Sequence, residues 1–196
     1  LWFYWKSGFD KRVVCDLFYL LPMYRSYRIG ELNMWSMQRY FKHRIGRMTA
    51  DEFASACDRF FREQGVRHIH RDALLVINAL KRYGTRLILV TGQHDYIARP
   101  FADYLGFDGI VGNSFEVRDG RFQEPVLPYT YYDGKIFWAE VFLKRWNLLW
   151  SQSLFFSDSI SDLPLLQNVG YPVAVNPDRK LRREAANRQW QQLLFN

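Results

Sequence analysis

The chain has 196 residues, 48% of them apolar, and a formal net charge of +7 from 27 basic and 20 acidic side chains. That is enough to bury a sizeable core, so the length favours one main domain with at most a small inserted one. No uncharged stretch approaches the roughly 20 residues of a membrane span, and no secretory signal pattern is present. A basic surface favours anionic partners: phosphorylated metabolites, nucleic acid or acidic lipid headgroups. Cys15 and Cys57 have no metal spacing and form no disulfide framework, so they read as reduced thiols of a cytoplasmic protein.

In chain order, Val13, Val14, Leu17, Leu20, Leu21 and Tyr24 recur at helical spacing, and residues 32–45 continue the pattern on a second helix. Thr49 with Glu52 makes a capping-box signature ahead of Phe53, Ala56, Phe60 and Phe61. Residues 72–83 form an amphipathic helix with Gly84 as its stop. The period then changes. Residues 86–90 have strand length and end at Thr91-Gly92, and a helix follows through Ile97, Phe101 and Leu105. Residues 109–111 read as a second strand, and 115–122 as a hairpin about Asp119-Gly120. A helix over 136–146, a strand at 154–156, a short helix at 163–168, a strand at 172–175 and a charged helix over 178–190 complete the chain. Strands alternating with helices predict an α/β layer with a mostly parallel, Rossmann-like sheet. The helical opening reads as a cap over residues 1–70, leaving 71–196 as the α/β core.

Ligands in open α/β sheets bind beyond the carboxyl ends of the strands. At one such end, Thr91 and Gly92 offer a hydroxyl and an unshielded backbone amide that suit an anion, although Thr91 would also serve as a helix N-cap. At another, Asp158 and Asp162 stand four residues apart, where two carboxylates repel unless a cation offsets them. Mg²⁺ suits such hard oxygens, with phosphate and water completing its shell. The other reading is Asp162 as an N-cap beside a solvated Asp158. Lys135 opens a helix, against the local dipole, so it either meets an anion or is a solvated surface lysine. His68 and His70 read as a solvated pair, and His94 as a neighbour of the Thr91 strand end. The opening residues 1–5, rich in aromatics, read as part of a packed cap helix. Arg179, Lys180, Arg182 and Arg183 read as a solvated helix face rather than a nucleic-acid surface.

The order of these signals carries more than each alone. Leu87-Ile88-Leu89-Val90-Thr91-Gly92, then Lys135, then Phe155-Phe156-Ser157-Asp158-Ser159-Ile160-Ser161-Asp162-Leu163-Pro164-Leu165-Leu166 resembles the second, third and fourth motifs of the haloacid dehalogenase-like superfamily. The nearest branch is its phosphoserine-phosphatase-like subfamily IB. Residues 171–178 resemble the same branch, and residues 27–30 resemble its cap. The resemblance implies a Mg²⁺-dependent phosphomonoester hydrolase acting on a small phosphorylated substrate through an aspartyl-phosphate. It implies that Thr91 and Gly92 hold phosphoryl oxygens, and that Lys135 steadies the phosphate and the attacking carboxylate. Asp158 would ligate Mg²⁺, and Asp162 would support that metal and orient Lys135. Ser161 stands where related phosphatases often carry Asn.

The family's first motif, a buried strand ending in Asp-x-Asp, is missing. Residues 12–18 imitate it, but Phe18 stands where the second aspartate belongs, and the surrounding pattern is helical. Leu1 is not Met, and the expectation is that the nucleophilic aspartate lies upstream of it. The strands ending at Thr91 and Asp158 should then stand about 9–10 Å apart, two strand spacings, with a slot between them. The chain alone is expected to be inactive and poorly stable. The alternative is a non-catalytic relative that binds a phosphorylated ligand or a protein partner. A third reading is a peripheral membrane or nucleic-acid binder.

Overall fold

In a computed structural model, which describes Gly46 and residues 48–196, the apolar spacing at Phe53, Ala56 and Phe61 folds as α1 (Ala50–Glu63). These residues and Cys57 are buried. Phe61 meets Phe101 edge to face at 4.8 Å, in the geometry that the ring quadrupoles favour. The expected helices over residues 13–45 lie outside the described residues. The amphipathic repeat that follows forms α2 (Arg71–Arg82). Just beyond it Gly84 has φ 72°, a left-handed stop that costs glycine little.

Next come β1 (Ile88–His94), α3 (Asp95–Leu105) and β2 (Gly109–Asn113). The hairpin is β3 (Phe115–Arg118) and β4 (Arg121–Pro125), with Asp119 and Gly120 at φ 51° and 69°. Positive φ at both turn residues matches the twist of the paired strands. Then follow α4 (Asp133–Trp146), β5 (Leu154–Ser157), α5 (Leu163–Asn168), β6 (Tyr171–Val175), α6 (Arg179–Asn187) and β7 (Gln191–Leu193). The α/β class is as expected, with β1 parallel to β2 and β5, β6 and β7 all parallel.

Two element boundaries differ from the sequence reading. The first strand runs on to His94, and α3 starts only at Asp95, with His94 as its N-cap. The last helix stops at Asn187 rather than 190. Gln189 turns at φ 58°, Trp190 packs on the core of Leu166, Ala174, Leu181 and Ala185, and β7 then pairs with β6. Burying the Trp190 ring outweighs continuing a charged helix into solvent.

The described residues divide into two compact units. In the smaller, 48–51 accompany Val117–Gln123, Thr49 bridges Arg121, and the Ala50 N–H donates to the Gly120 carbonyl at 2.8 Å. The larger holds Glu52–Glu116 and Glu124–Asn196. Within it β1 and β5 belong to separate sheets, β1–β2 and β5–β6–β7. Leu87 with residues 88–90 of β1, and residues 154–156 of β5, line one cavity of about 570 Å³ together with apolar faces of α2 and α4. A parallel strand buried on both faces normally pairs on both edges. Among the described residues β1 and β5 each pair on one edge only.

Candidate functional site

At the carboxyl end of β1 the register with β2 breaks. Val90 faces Val111 and His94 faces Asn113, so Thr91, Gly92 and Gln93 together oppose Gly112. Such bulges bend a strand and free its backbone from the ladder. Thr91 is therefore not a helix cap. Its Oγ1 accepts from the Gln93 N–H at 3.0 Å, which leaves the hydroxyl proton to be donated outward.

Lys135 lies in the first turn of α4 and is 8% exposed. A solvated surface lysine is thereby excluded. The helix start is pressed onto the preceding loop, since a Cβ at Gly134 would stand 1.7 Å from the Tyr129 carbonyl oxygen. Lys135 Nζ donates to Asp162 Oδ1 in a short buried ion pair. The other oxygen, Asp162 Oδ2, accepts from the Ser157 hydroxyl at 2.9 Å. Removing an ammonium and a carboxylate from water is costly unless both are paired and their remaining valences are hydrogen-bonded. Here the pair and the serine satisfy the carboxylate at both oxygens. Asp162 stands at the N-cap of α5 but makes no capping bond with its side chain.

Asp158 is exposed, and its carboxylate makes no hydrogen bond or ion pair among the described residues. The turn behind it is held by the Ser159 N–H donating to Ser157 Oγ at 3.2 Å and the Ile160 N–H donating to Asp178 Oδ2 at 2.8 Å. Mg²⁺ takes hard oxygens and is usually held by only one or two carboxylates. A free carboxylate at Asp158 fits that need. Asp162, whose oxygens are engaged by Lys135 and Ser157, fits a supporting place behind it. Among the described residues no group of three or more His, Cys, Asp or Glu side chains could hold a metal ion.

The two strand ends are connected through one loop. Asn113, at the end of β2 and 8% exposed, donates from Nδ2 to the Gly92 carbonyl at 2.7 Å. Its Oδ1 accepts from the Thr130 N–H at 2.9 Å. The Tyr131 ring then covers Gly92 so closely that a Cβ there would stand 3.0 Å from ring carbons. Contacts thus run from Thr91-Gly92 through Asn113 and residues 130–134 to Lys135, Asp162, Ser157 and Asp158. Burial raises the phenol of Tyr129 on the same loop above its ordinary value, with Glu124 adding to the effect.

Asn113, Tyr131 and the role of Ser157 are not part of the sequence reading. Asn113 and Ser157 are polar residues that close buried strands, which is the signal that could have singled them out. His68 and His70 are exposed, as a solvated pair should be. His94 is buried, 1% exposed. It stacks on Phe115 at 5.4 Å and accepts from the Tyr96 N–H at Nδ1, so its visible work is capping and packing.

Residues 1–167 match the haloacid dehalogenase-like hydrolase family, and the chain belongs to it. A histidinol-phosphatase of Neisseria meningitidis is 29% identical over 177 residues, covering 88% of this chain and 80% of that protein. A probable phosphatase of Mycobacterium tuberculosis is 33% identical over 128 residues, which is 65% of this chain and only 45% of the relative. Among solved structures, a Bordetella pertussis protein of unknown function superposes with a TM-score of 0.85 at 24% identity, over 96% of this chain and 86% of its own. A phospho-aspartyl intermediate analogue of phosphoserine phosphatase gives 0.62 at 16% identity, over 88% and 78%. At these identities the two structures speak for the fold.

Proposed function

We propose that the chain carries the phosphate and metal side of a Mg²⁺-dependent phosphomonoester hydrolase acting on a small phosphorylated substrate. The observation that carries this reading is the buried Lys135–Asp162–Ser157 network at a strand end joined through one loop to the Thr91-Gly92 bulge. A buried ammonium at a helix start is unfavourable for the helix and is positioned to meet a second anion. The Thr91 hydroxyl, with its oxygen already accepting from Gln93, donates to a phosphoryl oxygen. Lys135 neutralises charge on the phosphate while Asp162 keeps its ammonium in place. Asp158 would hold Mg²⁺, with Asp162 supporting that shell. When bound, Mg²⁺ would offset charge between the phosphate and an attacking carboxylate.

Residues 1–70 are proposed as the cap over this site. The proposed setting is cytoplasmic, on the reading of both cysteines as reduced thiols. Among the described residues no helix is long and apolar enough to cross a membrane. The attacking aspartate of an aspartyl-phosphate route is not supplied by any Asp-x-Asp pair in the sequence. The chain alone is therefore expected to bind phosphate without turning over a phosphomonoester. The second reading, a non-catalytic relative that binds a phosphorylated ligand, needs only the Thr91 and Lys135 side of the site.

The test is calorimetric titration of the chain with orthophosphate, with and without Mg²⁺, alongside Thr91→Ala and Asp158→Asn. The expected result is binding that Mg²⁺ strengthens, that Thr91→Ala weakens, and whose Mg²⁺ dependence disappears in Asp158→Asn. Phosphate binding indifferent to Mg²⁺ would leave only the ligand-binding reading. No phosphate binding at all would sink both.

A further inference from the structure

We infer that Asn113 is the positioning residue that couples the phosphate-binding bulge to the lysine-bearing loop. The inference rests on the phosphate-site reading and adds to it a group that does not touch the ligand. The Gly92 carbonyl and the Gln93 N–H belong to one peptide unit, and both ends of that unit are occupied. The carbonyl accepts from Asn113 Nδ2, and the N–H donates to Thr91 Oγ1. Asn113 thereby fixes the peptide plane that sets the direction of the Thr91 hydroxyl. Its other amide atom accepts from Thr130, five residues before Lys135 and on the loop that leads into α4. One planar amide thus sets both phosphate-facing groups in a common frame, and Tyr131 of the same loop packs on Gly92.

The chemistry is specific to a side chain with one donor and one acceptor at this length. Aspartate keeps the acceptor for Thr130 but turns its other oxygen against the Gly92 carbonyl. Leucine fills the space and supplies neither group. Both partners are backbone groups, the Thr130 N–H buried and the Gly92 carbonyl partly so, where an unmade hydrogen bond is expensive.

The experiment measures orthophosphate affinity of the unmutated chain, Asn113→Asp and Asn113→Leu between pH 5 and pH 8, each variant taken as a ratio to the unmutated chain at the same pH. At neutral pH both variants should bind on the order of tenfold more weakly. As the pH falls and the introduced carboxyl protonates, it regains a donor. The ratio for Asn113→Asp should then recover while that for Asn113→Leu stays low, a difference that general loosening of the fold would not produce. Equal affinity of Asn113→Asp and the unmutated chain at neutral pH would overturn the inference and leave the phosphate site standing. An unmutated chain that binds no orthophosphate would overturn both. Amide exchange in the unmutated chain provides a check that needs no variant. Saturation with orthophosphate should slow Gln93 and Thr130 together, and slowing at Gln93 alone would refute the coupling.

Discussion

Replacing Lys135 with methionine removes the ammonium from a pair whose side chains are only 10% and 11% exposed. Methionine keeps most of the volume, so the packing of α4 against its neighbours is largely retained. The Asp162 carboxylate is left in a poorly hydrated place with the Ser157 hydroxyl as its remaining partner. Removing one member of a buried pair typically costs about 3–5 kcal/mol, a large share of the roughly 5–15 kcal/mol that holds a domain together. The double variant Lys135→Met/Asp162→Leu removes both charges and should recover most of that loss. Urea unfolding followed by the fluorescence of the chain's seven tryptophans measures both variants against the unmutated chain. Lys144→Met gives the internal scale. Lys144 pairs with Glu140 at 3.1 Å on the surface, with side chains 75% and 42% exposed, and such a pair contributes about 0.5 kcal/mol or less. If Lys135→Met costs no more than Lys144→Met, the Lys135 pair is effectively solvated and the argument for a buried network at this site fails.

Gly134→Ala should destabilise by at least about 1–3 kcal/mol, because the added carbon would stand 1.7 Å from the Tyr129 carbonyl oxygen; an unchanged urea midpoint would refute this steric argument. The Cys57 thiol is pushed up to about 12, first by burial and then by Asp58 and Asp95. In a Cys15→Ser background it should resist iodoacetamide at pH 8 until urea unfolds the chain, and rapid native alkylation would contradict this. The Asp108 carboxyl is held below its ordinary value, first by the Leu87 N–H and then by Arg86, at 2.8 Å each. Its stabilisation is therefore present above the unfolded value of about 3.9 and lost as pH falls through the folded one. The stability gap between the unmutated chain and Asp108→Asn should be constant from pH 7 to about pH 5 and shrink below about pH 4; a gap that widens in acid would reverse the assigned sign.

The fold class was legible because the change from helical spacing to short β-branched runs is strong between Tyr83 and Val90. Thr91, Lys135 and Asp162 were legible as polar residues where buried segments end or begin. The sequence pattern could not show which competing local reading each would take. Thr91 looked equally suited to cap a helix, until the bulge carried the strand on to His94. Asp162 looked equally suited to cap α5, until its carboxylate turned to Lys135, a contact across 27 positions. Asn113 carried only the weak signal of a polar residue closing a buried strand, because its two partners, Gly92 and Thr130, come from other elements. Strand β7 was hidden for a similar reason: residues 191–193 form a strand only because β6 offers them an edge.

The cavity between β1 and β5 reverses the usual geography of a sheet. Unpaired backbone normally lies at the periphery, where lysines, prolines or bulges discourage strangers. Here, among the described residues, β1 and β5 each pair on one edge only, both border the same apolar cavity of about 570 Å³, and no charged side chain stands among residues 87–90 or 154–156. Any extended segment that paired with both β1 and β5 would turn two small sheets into a single continuous one.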